Sequence, residues 1–264
     1  MLILFAIVVI DLIGFGIVIP LLPFYGKQFG ASASAITMLM ATYSACQLIM
    51  APVLGRLSDR LGRRPVLLLS LAGSVASYLW LGFADALMRS LNALLDNATY
   101  LKKLPIPAHI FVAKAALSAL LSMMLSLLLL PLLFAVVGQP LGAADFVVVP
   151  AAVLLIGFAF GLGLLLGTLN VFFRDVAHLT AVVLQLWMWC TPIVYTIEIV
   201  PERYRYLFWL NPVHPYILAI REAFLERDVA APATWLAMAG WDAVALFLGL
   251  VVMARLRHEV RDVL

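Results

Sequence analysis

The sequence predicts an all-α, polytopic transmembrane protein, and three observations predict it. Of 264 residues, 65% are hydrophobic and only 12% are charged, about half the charge that a soluble domain carries. Mean hydropathy is +1.10. Several apolar runs exceed the roughly 20 residues that cross a bilayer core as a helix. A soluble enzyme, a disulfide-stapled secreted scaffold and a disordered chain are all excluded, because none could cover so apolar a surface.

Seven stretches are long enough to span: Leu2–Phe24, Ala35–Leu54, Pro65–Ala84, Ile110–Val137, Phe146–Phe172, Leu179–Val200 and Leu236–Met253. Hydrocarbon offers no hydrogen-bonding partner to the backbone, so each is expected to be a helix. Apolar residues run continuously instead of alternating, which argues against strands. The first run has no basic flank before it and no small-residue cleavage site after it, so it is expected to stay in the membrane. Cys46 and Cys190 both fall in apolar runs and read as small buried hydrophobes, not as a disulfide.

Between Pro201 and Ala233 the text changes. Arginines and glutamates mix with Tyr204, Tyr206, Phe208, Trp209, Tyr216 and Phe224, and Pro212 and Pro215 break the stretch. A pair of interfacial amphipathic helices is expected, with a solvated loop as the alternative. The net charge of +3 fits basic cytoplasmic loops and gives no reason to expect a nucleic-acid partner.

One basic loop carries an ordered motif. Gly55, Arg56, Leu57, Asp59, Arg60, Gly62, Arg63 and Arg64 give four arginines within nine residues, with glycines at both turns. Upstream, Asp11, Gly14 and Pro20 stand in the first apolar run, where a carboxylate is costly unless it faces a cavity or a partner. This order resembles the loop between the second and third helices of the major facilitator superfamily, and residues 1–88 resemble the first three helices of its tetracycline-exporter type of drug–proton antiporter. The resemblance implies proton-coupled efflux with Asp11 and Asp59 involved. It supplies three of the usual twelve helices.

A second set of motifs follows. Asn97, Tyr100, Leu101, Lys102, Lys103, Leu104, Pro105 and Pro107 form a short, basic, proline-stiffened element. On chemistry alone it is either a docking element or a positive-inside anchor. Arg174 and Asp175 make a charged corner, or simply a solvated turn. Trp187, Tyr195 and Trp209, with Asn211 and Pro212, could line a sugar path, although interface anchoring is the commoner use of Trp and Tyr. Gly157, Gly161, Gly163 and Gly167 give two small-xxx-small pairs, suited to intrachain packing or to a subunit interface.

In this order and spacing, residues 89–264 resemble ABC-type permeases of the type-2 class, which export polysaccharides and polyol phosphates. The resemblance implies a homodimeric permease in the bacterial inner membrane that handles a lipid-linked glycan or polyol phosphate. It also implies a separate ABC ATPase docked on residues 97–107 and at Arg174–Asp175. No Gly-x-x-x-x-Gly-Lys phosphate loop is present in the sequence, so ATP would act through that subunit, with no cofactor bound directly. His109, His178, His214 and His258 show no metal spacing, and no catalytic nucleophile motif appears.

The two resemblances disagree about sidedness. Both the arginine loop 56–64 and the element 97–107 should be cytoplasmic, yet Pro65–Ala84 is the one full-length apolar segment between them. Either that segment re-enters, or one half is inverted. The chain reads as a hybrid, and a fusion product without transport activity is the third expectation.

Overall fold

The computed structural model describes residues 62–104, 106–128, 142–193, 200–226 and 228–263, with isolated positions between 32 and 59. The first two expected spans lie outside the continuously described residues. Among the described residues there are only helices and turns. They are α1 (Arg63–Asp96), α2 (Ala98–Lys103), α3 (His109–Leu127), α4 (Val148–Phe172), α5 (Asp175–Cys190), α6 (Glu202–Arg205), α7 (His214–Arg221) and α8 (Pro232–Val263). A 3-10 turn, Ala143–Val147, leads into α4, another, Tyr206–Leu210, follows α6, and a π turn, Glu222–Glu226, follows α7.

Among the described residues, three helical stretches are long and apolar enough to cross a membrane: His109–Leu127, Ala144–Phe172 and Pro232–Arg257. They overlap the fourth, fifth and seventh expected spans, and the part of the fourth beyond residue 128 lies outside the described residues. The sixth is represented by α5, which at 16 residues is about 24 Å long and falls short of a roughly 30 Å hydrocarbon core.

The third expected span lies inside α1, which runs unbroken for 34 residues, about 51 Å at 1.5 Å per residue. No re-entrant turn interrupts it. Gly62, just before it, has φ of 91°, a left-handed conformation that glycine adopts without strain. The chain divides into two units, Met1–Leu69 with Leu130–Leu141 and Ser70–Leu129 with Gly142–Leu264. That division falls inside α1, as does the expected boundary between residues 88 and 89.

In the larger unit α4 is the central helix. It is apolar on every face and buries 14 of its 25 residues, as expected of a helix surrounded by others. Its four glycines face two different neighbours. A Cβ on Gly161 would stand 2.6 Å from the Leu246 backbone nitrogen of α8, and one on Gly157 would stand 3.2 Å from Asp242 Oδ2. A Cβ on Gly163 would collide with Ser90 of α1, and one on Gly167 would lie 3.2 Å from the Leu91 carbonyl oxygen. Gly249 of α8 completes the crossing against the Gly161 carbonyl. Both small-residue pairs therefore serve intrachain packing.

The amphipathic stretch after α5 splits in character. Tyr204, Tyr206, Leu207, Trp209 and Leu210 are exposed, as suits an interface. In α7, by contrast, six of eight residues are buried, so this helix is packed into the bundle.

Overpacking a tight helix crossing costs about 1–3 kcal/mol. Gly161→Leu should therefore lower unfolding stability by that amount in mixed micelles. Gly240→Leu should leave it unchanged, since nothing lies within 4 Å of that Cβ position.

Candidate functional site: a basic docking face and an aromatic–amide hub

The element at 97–107 is built as a surface feature with one anchor. Leu101 is 1% exposed and joins a cluster with Leu94, Val112, Leu164, Val171 and Met253, drawn from α1, α3, α4 and α8. Tyr100, Lys102, Lys103, Leu104 and Pro107 point outward and are exposed. Asn97 donates its side-chain N–H to the Ala93 carbonyl at 2.8 Å, and its own carbonyl accepts the backbone N–H groups of Tyr100 and Leu101. Pro105 lies outside the described residues. A six-residue helix pinned by one leucine thus presents an aromatic ring and two ammonium groups on a firm base.

Arg174 and Asp175 are exposed at the turn between α4 and α5. The same end of the bundle holds them and α2, because Asn170 of α4 donates to Asn92 of α1 at 3.4 Å and Val171 shares the cluster with Leu101. The sequence-predicted coupling residues are therefore brought to one end.

The expected substrate-path residues are only partly brought together. Among the described residues, two cavities lie beside α5. The larger, about 490 Å³, lies between α1, α4, α5 and α8 and is lined by Leu87, Phe158, Thr180, Trp187 and Trp241 among others. The smaller, about 350 Å³, is lined by Trp187, Cys190, Phe208, Asn211 and Pro212 and neighbouring leucines. Trp187 borders both. Its indole N–H donates to Asn211 Oδ1 at 2.8 Å, which also accepts the Val213 N–H at 3.1 Å. The Asn211 amide in turn donates to Thr191 Oγ1 at 3.0 Å. Trp209 instead meets His214 edge-on at 5.7 Å, and Tyr195 lies outside the described residues. The polar atoms of Trp187 and Asn211 are thus engaged within the chain.

Several residues of this region went unnoticed in the sequence. Trp80 and Phe83 meet Trp187 at ring separations of 5.9 and 5.7 Å, and Phe158 stacks on Phe83 at 5.7 Å. Tyr216, fully buried, donates its hydroxyl to Asp242 Oδ1 at 2.7 Å. Asp242 was visible as a carboxylate inside an apolar run, the signal that also marked Asp11. Burial, and then the adjacent Asp242, push the Tyr216 hydroxyl well above its ordinary range. Of the facilitator-like motif, Asp59 is exposed and Gly62 makes its turn. Arg63 and Arg64 begin α1, while Asp11, Gly14, Pro20, Gly55 and Arg60 lie outside the described residues.

This fold defines the chain as a helical membrane protein with a basic face at one end and aromatic cavities within. Comparison with known proteins divides it further. Residues 4–96 match the Major Facilitator Superfamily. The chain is 46% identical over 97 residues to the class B tetracycline resistance protein of Escherichia coli, covering 35% of this chain and 24% of that protein. It is 44% identical over 84 residues to the class H protein of Pasteurella multocida, covering 31% and 21%. The chain thus spans under a quarter of the length of these relatives. It is also 25% identical over 187 residues to the O-antigen export system permease protein RfbA of Klebsiella pneumoniae, covering 70% of this chain and 71% of that protein. A match of that length extends well beyond residue 96. The chain is a hybrid of two resemblances.

His214 gives this region a pH signature. Its ring is 2% exposed and stands 5.7 Å from both Phe208 and Trp209. Burial, with Arg221 nearby, lowers its pKa to about 4. The unfolded chain takes up this proton near pH 6.5 and the folded one only near 4, so stability falls as pH drops through that window. The loss should reach about 2–3 kcal/mol by pH 4, and His214→Phe should flatten that part of a stability–pH curve.

Proposed function

We propose that the chain is the membrane permease subunit of an ABC-type exporter for a polysaccharide, lipid-linked glycan or polyol phosphate. The observation that carries the reading is the Leu101-anchored α2, which offers Tyr100, Lys102 and Lys103 beside the Arg174–Asp175 corner. A cationic, aromatic knob on a firm base is what a cleft in a soluble ATPase can grip, with lysine charge steering the encounter. The similarity to an O-antigen export permease over 70% of the chain supports the same reading. ATP is consumed on the partner subunit, and this chain binds no cofactor and performs no covalent chemistry. A second copy of the permease completes the path across the bacterial inner membrane, and membrane lipid surrounds or carries the substrate.

A second reading rests on the match of residues 4–96 to the Major Facilitator Superfamily. It makes the chain a proton-coupled drug-efflux fragment using Asp11 and Asp59. The energy source separates the two readings. Export through an ABC permease stops when the ATPase is poisoned and survives collapse of the proton gradient, whereas facilitator-type efflux behaves the opposite way. A fusion product without transport moves nothing under either supply.

The docking face has its own test. With Lys102→Glu and Lys103→Glu combined, the charge reversal should lower recovery of a co-purified ATPase roughly tenfold or more. Equal recovery from the variant and the unaltered chain would contradict docking at α2.

A further inference from the structure

Among the described residues, α5 is the least embedded of the longer helices. Of its 16 residues only Thr180 and Leu184 are buried, and the 490 Å³ cavity lies along its inner flank against α4 and α8. The Thr180 hydroxyl offers no tie to a neighbouring helix, because it donates to the Val176 carbonyl of its own helix at 2.7 Å. Side-chain packing is therefore thin along the middle of α5.

Its two ends are different. At the N-terminal end, Asn170 of α4 is 1% exposed, and its Oδ1 accepts the Ala177 backbone N–H at 3.2 Å. The same amide donates to Asn92 Oδ1 of α1, and Asn92 donates to the Met88 carbonyl at 3.0 Å. One of α5's free first-turn N–H groups is thereby satisfied from a neighbouring helix. At the C-terminal end, Asn211 receives the Trp187 indole N–H and donates to Thr191 Oγ1. Thr191 itself donates back to the Trp187 carbonyl at 2.9 Å. Each end of α5 is thus held by one asparagine from another segment.

We propose that Asn170 and Asn211 are positioning residues, a pair of amide clamps that fix the two ends of α5 and so place Trp187 between the two cavities. Directional bonds do here what packing does elsewhere in the bundle. An apolar contact along a half-empty flank lets a helix slide, whereas a two-sided amide bond sets both distance and angle. Any part that Trp187 plays in a substrate path rests on the permease reading. The clamps themselves do not.

Distances between spin labels on the full-length chain in lipid nanodiscs test this without any transport assay. In a Cys46→Ser background, one pair joins native Cys190 to Leu236→Cys and reports the C-terminal end of α5. A second pair, His178→Cys with Ala254→Cys and Cys190→Ser, reports the N-terminal end. Asn211→Ala should broaden the first distribution roughly twofold and leave the second unchanged, because a released end samples several arrangements. Asn170→Ala should do the reverse. Trp187→Phe should broaden the first pair less than Asn211→Ala, which also removes the bonds to Thr191 and from Val213. The double variant should broaden it no further than Asn211→Ala alone, since the Trp187–Asn211 bond is already gone. Unchanged widths in the alanine variants would overturn the proposal, as would broadening of both pairs by each variant, which marks general loosening.

Discussion

Close backbone contact through glycine is the constraint on which the larger unit depends. Lipid chains are as apolar as leucine, so spanning helices gain little by hiding apolar surface from one another. They associate through van der Waals fit and a few polar bonds. α4 meets this demand twice, turning Gly157 and Gly161 toward α8 and Gly163 and Gly167 toward α1. A side chain at Gly161, against the α8 backbone, would push the axes apart. The consequences run outward. With α1 held against α4, Leu94 and Leu101 can join the cluster at the basic end. With α8 held, Asp242 lies within reach of Tyr216, and α7 is drawn into the bundle.

Much of this was legible, and what was not has a physical cause. Apolar length located α3, α4 and α8 well, because length and hydropathy are what a bilayer selects. The same measure cut α1 short. Its apolar run stops at Ala84, before Asp85 and Arg89, but those two side chains pair at 2.8 Å on the exposed face. Ala86, Leu87, Ser90, Leu91 and Leu94 continue the buried stripe behind them. α7 misled in another way. Its mixed composition suggested an interface, yet its place depends on a bond from Tyr216 to a residue 26 positions away. Asn211 was legible as a notable residue, but its engagement as a brace was not. Which helix each glycine meets is likewise a long-range fact that spacing does not contain.

The facilitator match, residues 4–96, ends where α1 ends. α1 begins at the end of the arginine motif and stops just before α2, so both basic clusters flank a single uninterrupted element. Basic loops are held on the cytoplasmic side, and a helix that crosses once cannot satisfy that preference at both ends. Local rules that agree mark a sequence selected for one structure. Here the packing rules agree across the larger unit, while the charge rule is strained at the join.

The most direct measurement is therefore the sidedness of the two ends of α1. Single cysteines at Ser58 and Thr99, one at a time in a chain lacking Cys46 and Cys190, would be labelled with an impermeant maleimide in intact cells and in opened vesicles. A single unbroken crossing predicts that the two sites react from opposite faces, with Thr99 cytoplasmic as docking at α2 requires. Labelling of both sites from the same face would contradict α1 as one span and, with it, the account of how the two parts of the chain are joined.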